Sequence, residues 1–533
     1  MTQYDYIVVG AGAAGCVVAN RLSADPGVNV LLLEAGGPDS NPLIHMPAGF
    51  TKLTGKSVNW GFNTLPQKEM NNRAMHYPQG RTWGGSTSIN AMIYIRGNRK
   101  DYDAWSALDN EGWGYDGVLP YFKKSENNER LVDDYHGTGG PLNVAEQTQN
   151  SKLTRAFVRS AQEIGIPYNP DVNGAEQFGV TYYQVTQRNV RRESAATAFL
   201  KPVLNRTNLT AITHAQVTKV LVENGRAVGV KYLHKGNNEV TAHANVEVVL
   251  SGGAINSPRM LLLSGIGPAD ELKQLGIPMV HNLPGVGKNL QDHMDVYIPA
   301  VVNQPISYNG EDRWDRAVLH GIQYLLYKTG PVTACVAEAG LFLNTSYEVR
   351  SPDIQIHCLP AYVVDHGRMR IKGHGVTINT CNLRPKSIGS VTLRSSSPLD
   401  EPAIDPNFCG DHEGYDWKIS IEGFKWGRRL LAAPSFKPYI EREYLPGEDK
   451  QSDKEIKNYI RQWSKTDYHP VGSCKMGSDE MAVVDTQLSV RGLEGLRVID
   501  ASIMPTLISG NTQAPSIMVG EKGAAIMLAG KVV

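Results

Sequence analysis

A chain of 533 residues, with 41% apolar and 20% charged side chains, is long enough for a large buried core and for more than one domain. Lysine plus arginine equals aspartate plus glutamate at 53 each, so no net charge draws the molecule to nucleic acid or an anionic membrane, and a small-molecule partner is expected. The six cysteines are scattered without a CxxC pair or framework spacing, which argues against a disulfide scaffold and for reduced thiols in a cytoplasmic protein.

The strand-like stretch "YDYIVVG" begins at Tyr4, so no leader is expected. It opens the segment "YDYIVVGAGAAGCVVANRLSADPGVNVLLLEAGG", which reads as strand, glycine turn, helix and second strand closed by an acid. Gly10 permits the turn, Gly12 lets the backbone approach a pyrophosphate, and Gly15 lets the helix pack on the strand. The helix amino terminus then offers unpaired N–H groups to phosphate. Glu34 lies 19 residues after Gly15, where a carboxylate accepts from a ribose diol, which disfavours a 2′-phosphate. The unit predicts a Rossmann-like dinucleotide site and leaves nicotinamide and flavin dinucleotides both open.

A second glycine-rich block, "GRTWGGSTSINAMIYIRG" from Gly80, is too long and polar for a strand, yet "INAMIYI" asks to be buried. Its small residues suit a loop passing close to a flat ligand; an ordinary surface loop is the other reading. Gly80 to Asn90, together with "GAINSPRMLLLSGIG" from Gly253 to Gly267, resembles the two signatures of the glucose-methanol-choline (GMC) oxidoreductases. The resemblance runs the length of the chain. Within that family, "NPLIHMP", "INAMIYIRG", "YQVTQ" and "LPGVGKNLQDH" look most like the choline dehydrogenase-like branch, closest to the bacterial alcohol dehydrogenases of alkane oxidation.

The resemblance implies extended FAD. It places Gly10, Gly12, Ala13, Ala14, Gly15, Glu34 and Ala35 at the cofactor, and from the second block Arg81, Gly84, Gly85, Ser86, Asn90, Ala91, Met92 and Ile93. Some members join a histidine covalently to the flavin. Ile89 stands at that place here, so a dissociable, non-covalent FAD is expected.

Further along, "NLTAITHAQVTKVLVENGRAVGVKYLHKGNNEVTAHANVEVVLSGGAINSP" reads as strands with turns at Asn224-Gly225 and Asn237-Asn238. The resemblance sets Val217 against the adenine end of FAD through its backbone. The loop "NLPGVGKNLQDHMD", from Asn282 to Asp295, is read either as a phosphate or ring-edge contact or as a plain turn. From about Val296, "WDRAVLHGIQYLLYKTG" is helical in period, whereas "DIQIHCLPAYVV", "GVTINTCNLRP" and "GSVTLRSS" alternate like strands. An antiparallel sheet with helices on one side fits, as the family's substrate domain has. The expected fold is α/β, α+β overall: an FAD-binding domain of residues 1–155, 200–295 and 460–533, and a discontinuous substrate-binding cap of 156–199 and 296–459.

Near the end stand "DYHPVGSCKMG", with His469, and "DASIMPTLISGNTQAPSIMVGEKGAAI", with Asn511. Pro470 restricts His469 to extended backbone, and the residues around Asn511 form a loop that opens a helix. Alcohol oxidation needs a hydride acceptor and a group that takes the hydroxyl proton. Histidine suits the second task near neutral pH, and an amide can donate to the developing alkoxide. The match to the family's base and partner positions assigns these roles to His469 and Asn511. By the same resemblance Asp500, Ala501, Thr512 and Gln513 join Asn511 at the cofactor.

Glu338 and His357 lie on segments expected to line the substrate side, with Tyr362 and Tyr468 as further candidates. Glu338 could hold a quaternary ammonium, but Val336, Leu341, Leu359 and Val363 suggest an aliphatic or aromatic alcohol. The leading expectation is an FAD-dependent dehydrogenase of primary alcohols that yields aldehydes and passes electrons to a quinone or other acceptor. The alternatives are an oxidase of aryl, furan or aliphatic alcohols that makes hydrogen peroxide from oxygen, a choline dehydrogenase, and a flavoprotein of the same fold without alcohol chemistry. No metal is expected. The longest apolar runs, such as "MLLLSGIG", fall short of the ~20 residues that span a bilayer, and peripheral contact with the inner membrane stays open.

Overall fold

Tyr6 to Val9 form the buried end of the strand Gln3–Val9, the chain turns at Gly10 with φ +102°, and the helix Ala13–Leu22 runs back over the sheet. A Cβ at Gly15 would sit 1.8 Å from the carbonyl oxygen of Gly10, so glycine alone lets the helix cross its own strand this closely. This computed structural model describes residues 3–53, 55, 57–345, 351–369 and 371–530.

The first sheet runs in the order Leu209–Ile212, Val30–Leu33, Gln3–Val9, Asn238–Leu250, Arg226–His234 and Ala215–Glu223. Its first four strands are mutually parallel, as the buried "VLLL" of Val30–Leu33 suits, and the last two turn back antiparallel. Leu496–Val498, from the far end of the chain, adds a parallel pairing to Val248, Val249 and Leu250.

The second sheet is antiparallel throughout, in the order Ile440–Glu443, Met294–Val302, Gly375–Asn382, Ile354–Leu359, Ala339–Leu343 and Gly179–Tyr182. The short strand Lys465–Thr466 pairs with Met294 and Asp295. Helices Lys152–Glu163 and Tyr415–Ala432 cover the sheet. The latter approaches closely because Gly427 leaves room for Ile298, whose Cδ1 would lie 2.5 Å from a Cβ there. Each sheet has its own apolar core, and both draw strands from distant parts of the chain.

Helix Trp314–Tyr327 departs from the expected packing. It does not lie on the sheet: Trp314, Val318, Leu319, Ile322, Leu325 and Leu326 are half exposed or more, and Tyr324 alone is buried. Among the described residues no helix is long and apolar enough to cross a membrane. All six cysteines are free and buried.

The last helix, Gln513–Ala529, closes the molecule by packing on Ala13–Leu22. A Cβ at Gly520 would come 2.9 Å from the Cα of Ala14, and Arg21 Nε donates to Glu521 Oε2 at 2.9 Å across the contact. The amino and carboxyl ends of the sequence thereby share one core. Substituting Gly15→Ala should lower the stability of the cofactor-free protein by at least about 2 kcal/mol, because the added methyl meets backbone that cannot rotate away. Urea unfolding of the two proteins measures the difference, and an unchanged midpoint would show that the strand and helix can separate without cost.

Candidate active site

A cavity of about 1250 Å³ lies between the two sheets and exceeds the ~300–1,000 Å³ typical of a single small ligand. Gly10, Gly12, Ala13 and Ala14 line one end, where the helix Ala13–Leu22 presents its amino terminus. A Cβ at Gly12 would find only the Ser251 carbonyl oxygen, at 3.8 Å, so the turn leaves open space for a ligand's phosphates. Glu34 and Ala35 line the same end. The Glu34 carboxylate accepts from Ala11 N at 2.9 Å and Gly36 N at 2.8 Å, and burial pushes its carboxyl up to about 6 against those two donors. Each of its oxygens keeps a second lone pair for a diol.

Gly85, Ser86, Asn90, Ala91, Met92 and Ile93 form another wall, and Val217, Asp500, Ala501, Asn511, Thr512 and Gln513 complete the lining near them. Gly84 stands behind it, at φ +86°, donating its N–H to Ala11 O at 2.7 Å and so tying the two glycine loops together. Gly15 is likewise a packing residue. Arg81 is not on the wall: its guanidinium stacks 4.6 Å from the Trp60 ring and donates to Gln216 Oε1 at 3.3 Å, and both of those partners line the cavity. Ile89 reaches the cavity with an aliphatic side chain that has no nucleophile to offer a ring. The donor set and the open glycine turn fit an extended dinucleotide.

His469 and Asn511 meet beside this space. Asn511 Nδ2 lies 3.0 Å from His469 Nε2, and both residues line the cavity. Asn511 stands on the loop before the last helix; His469 follows the strand Lys465–Thr466, with Tyr468 at φ +69° turning the chain. The Asp292 carboxylate fixes that turn by accepting from His469 N at 2.8 Å, Thr466 Oγ1 at 2.6 Å and Tyr77 Oη at 2.6 Å.

The hydrogen bonds around the imidazole run in one direction. Burial lowers His293 to about 3 and His469 to about 4, the latter opposed by the Asp467 charge, so both rings are neutral at physiological pH. His293 Nε2 faces the carbonyl oxygen of Leu383 at 3.2 Å and must carry the ring proton. Its Nδ1 is then an acceptor, and His469 Nδ1 donates to it at 3.0 Å. His469 Nε2 is left as a lone pair turned toward Asn511. Gln355 Nε2 donates to Asn511 Oδ1 at 3.3 Å, which orients the amide with its NH2 toward the ring.

The loop Asn282 to Asp295 therefore neither lines the phosphate end nor acts as a plain turn. Asp292 and His293 back the histidine from outside the cavity, a role the sequence reading missed. The cluster of acids and amides ahead of a strand in "NLQDHMD" was the available signal.

On the substrate side His357, Tyr362 and Tyr468 line the cavity, but Glu338 does not. Its Oε2 accepts from Ser151 N at 2.7 Å and Thr154 Oγ1 at 2.5 Å, its Oε1 accepts from Tyr308 Oη, and it is fully buried. Three protein donors hold it away from any ligand. Of the apolar neighbours, Val336, Leu359 and Val363 face the cavity, whereas Leu341 lies in the sheet core. A carboxylate does line the cavity beside His469, that of Asp467, which the sequence reading passed over.

The descriptions of two family models match the chain, both of GMC oxidoreductases, over residues 4–295 and 385–520. The Alcohol dehydrogenase [acceptor] of Pseudomonas putida is 48% identical, covering 99% of this chain and 96% of that protein. The mitochondrial choline dehydrogenase of Homo sapiens is 44% identical over 98% of this chain and 90% of its own length. Among solved structures, pyridoxine 4-oxidase from Mesorbium loti superposes with a TM-score of 0.88 at 31% identity, over 98% of each chain.

Were His469 Nε2 the proton acceptor, its burial would set the acid side of the pH profile. Protonation of Nε2 removes the acceptor, so kcat/KM for an alcohol should stay level from neutral pH downward and fall only as pH approaches about 4. An acid limb centred at 6.5 or above would show a solvated, unperturbed imidazole instead.

Proposed function

Because the chain belongs to the GMC oxidoreductase family, we propose that it oxidises primary alcohols to aldehydes with His469 as the base, and that the electrons leave for a quinone or other acceptor. The family's FAD, held here without a covalent link, supplies the hydride acceptor at its N5. The observation that carries the reading is the 3.0 Å meeting of His469 Nε2 and Asn511 Nδ2 at the wall of the dinucleotide cavity.

An alcohol entering between these two groups replaces their direct bond. Its hydroxyl donates to the Nε2 lone pair, and its oxygen accepts from the Asn511 NH2, which supports the negative charge that develops as the proton departs. His293 keeps the Nδ1 proton in place, so Nε2 is the nitrogen that receives the new one. Asp292 fixes the backbone of the base, and Gln355 fixes the amide. Asn511 has no proton to take, so the two residues divide the work and are unequal. The name of the Pseudomonas putida relative supports an acceptor other than oxygen.

Two measurements test this. Under anaerobic conditions, with the flavin absorbance following reduction, His469→Ala should slow bleaching by about 10²–10⁴-fold, the usual worth of a positioned base. Asn511→Ala should cost about tenfold, one hydrogen bond's share. A wild-type flavin that no primary alcohol bleaches would sink the reading in favour of a flavoprotein without alcohol chemistry. For the acceptor, turnover with a quinone should exceed peroxide formation under air; the reverse ratio would make the protein an oxidase.

A further inference from the structure

The apolar neighbours expected of the substrate chamber share its wall with a carboxylate beside the histidine. Asp467 lines the cavity next to the base: its Oδ2 is 3.6 Å from His469 Nδ1 and 3.8 Å from His357 Nε2, beyond hydrogen-bonding distance of either. That oxygen has no hydrogen-bond donor from the protein and is itself closed off from solvent, so it is the rest of the carboxylate that faces the cavity. The side chain keeps 11% of its surface open, and that surface belongs to the cavity.

Neighbouring donors that could have satisfied it are committed elsewhere. Lys465 Nζ is bonded to Asp295 Oδ2, and Asn379 Nδ2 donates to the same oxygen at 2.8 Å. His469 Nδ1 serves His293. Tyr183 Oη accepts from Gln355 Nε2 at 3.1 Å and therefore donates to His357 Nδ1 at 2.9 Å, which leaves the His357 proton on Nε2, too far to bond. Burial would raise the Asp467 carboxyl, but the neighbouring His469, His357 and Lys465 outweigh it and hold the group well below the usual carboxylate range. The chamber thus carries an ionised carboxylate, part of whose surface is open to the cavity.

We propose that the Asp467 carboxylate is a substrate subsite for a second hydrogen-bond donor, so that the enzyme selects alcohols bearing another hydroxyl or an N–H ammonium over simple alkanols. An alkyl chain laid against this carboxylate strips it of water and returns nothing, which costs binding energy. A hydroxyl or primary ammonium donates to the open side of the carboxylate in a charge-assisted bond. Choline carries a positive charge without an N–H, so it gains the Coulomb attraction and not the bond. Val336, Leu359 and Val363 line the same cavity and accommodate the carbon skeleton between the two polar ends. The proposal rests on the alcohol-oxidising reading of the site.

The test compares kcat/KM of the flavin-loaded enzyme for 1-butanol, 1,4-butanediol, 4-amino-1-butanol and choline, with a quinone as acceptor. The wild type should favour the diol and the amino alcohol over 1-butanol by about tenfold to a hundredfold, the value of a hydrogen bond to a charged group. Asp467→Leu should bring those ratios close to one, and Asp467→Asn should keep the preference for the diol while losing that for the amine. A wild type that oxidises 1-butanol as well as the diol and the amine overturns the subsite while leaving the alcohol chemistry standing. Equal loss on all four alcohols in Asp467→Leu, with a shifted pH profile, overturns it too and makes the carboxylate a counter-ion of the base. If no alcohol reduces the flavin, the reading of the site itself has failed. The wild-type ratios are decisive even if neither variant folds.

Discussion

The contact between the first helix and the last organises this molecule. Gly15 lets Ala13–Leu22 lie on its own strand, and Gly520 lets Gln513–Ala529 lie on Ala13–Leu22, each where a single methyl would collide with backbone. These two close approaches stack strand, helix and helix with no room between them. The loop ahead of the last helix is carried with it, so Asn511 reaches the cavity that the glycine turn opens near residue 12. Separation along the chain is thereby no obstacle. Leu496–Val498 contributes by entering the same parallel sheet just before that loop, which gives the segment a rigid origin.

The second constraint is burial of His469. An imidazole in water would be partly protonated at neutral pH; here the loss of solvent favours the neutral ring, and His293 decides which nitrogen holds the proton. A carbonyl oxygen cannot donate, so the whole direction of the chain is set by Leu383 O at its far end. The tautomer of His469 is thus set by a group outside the cavity. That preparation requires the strand Met294–Val302, whose start places His293, and the strand Lys465–Thr466, which pairs with it and places His469. The antiparallel sheet therefore supplies the histidine, while the loop ahead of the last helix supplies the amide that meets it.

Much of this was legible in the sequence because it depends on local chemistry. A glycine spacing that only tight turns and close packing require, an acid at the tip of the next strand, and a histidine locked by proline can all be read from neighbouring residues. The strand periods of residues 354–359 and 375–382 were equally plain. What escaped was set by tertiary geometry. The helical period of Trp314–Tyr327 predicts the helix and says nothing of its partner, and the helix turns out to leave most of its apolar side chains uncovered. The loop Asn282 to Asp295 announced itself by composition, but whether its acids and amides face a ligand or another side chain depends on where the segment of His469, 176 residues after His293, comes to lie.

The two carboxylates on the substrate side show why residue type alone misleads. Glu338 has the right charge and stands just ahead of the strand Ala339–Leu343, yet a backbone N–H and two hydroxyls satisfy it completely, and a carboxylate in that state is part of the scaffold. Asp467 follows a lysine by two positions and would ordinarily be read as its ion-pair partner. The lysine is instead spent on Asp295, because the pairing of Lys465–Thr466 with Met294 and Asp295 brings those two side chains together across the strands. The difference between a structural acid and an available one is thus decided by which donors the surrounding strands have already used. A donor count of that kind is a property of strand register, and register in turn is what the burial of the sheet's other face enforces.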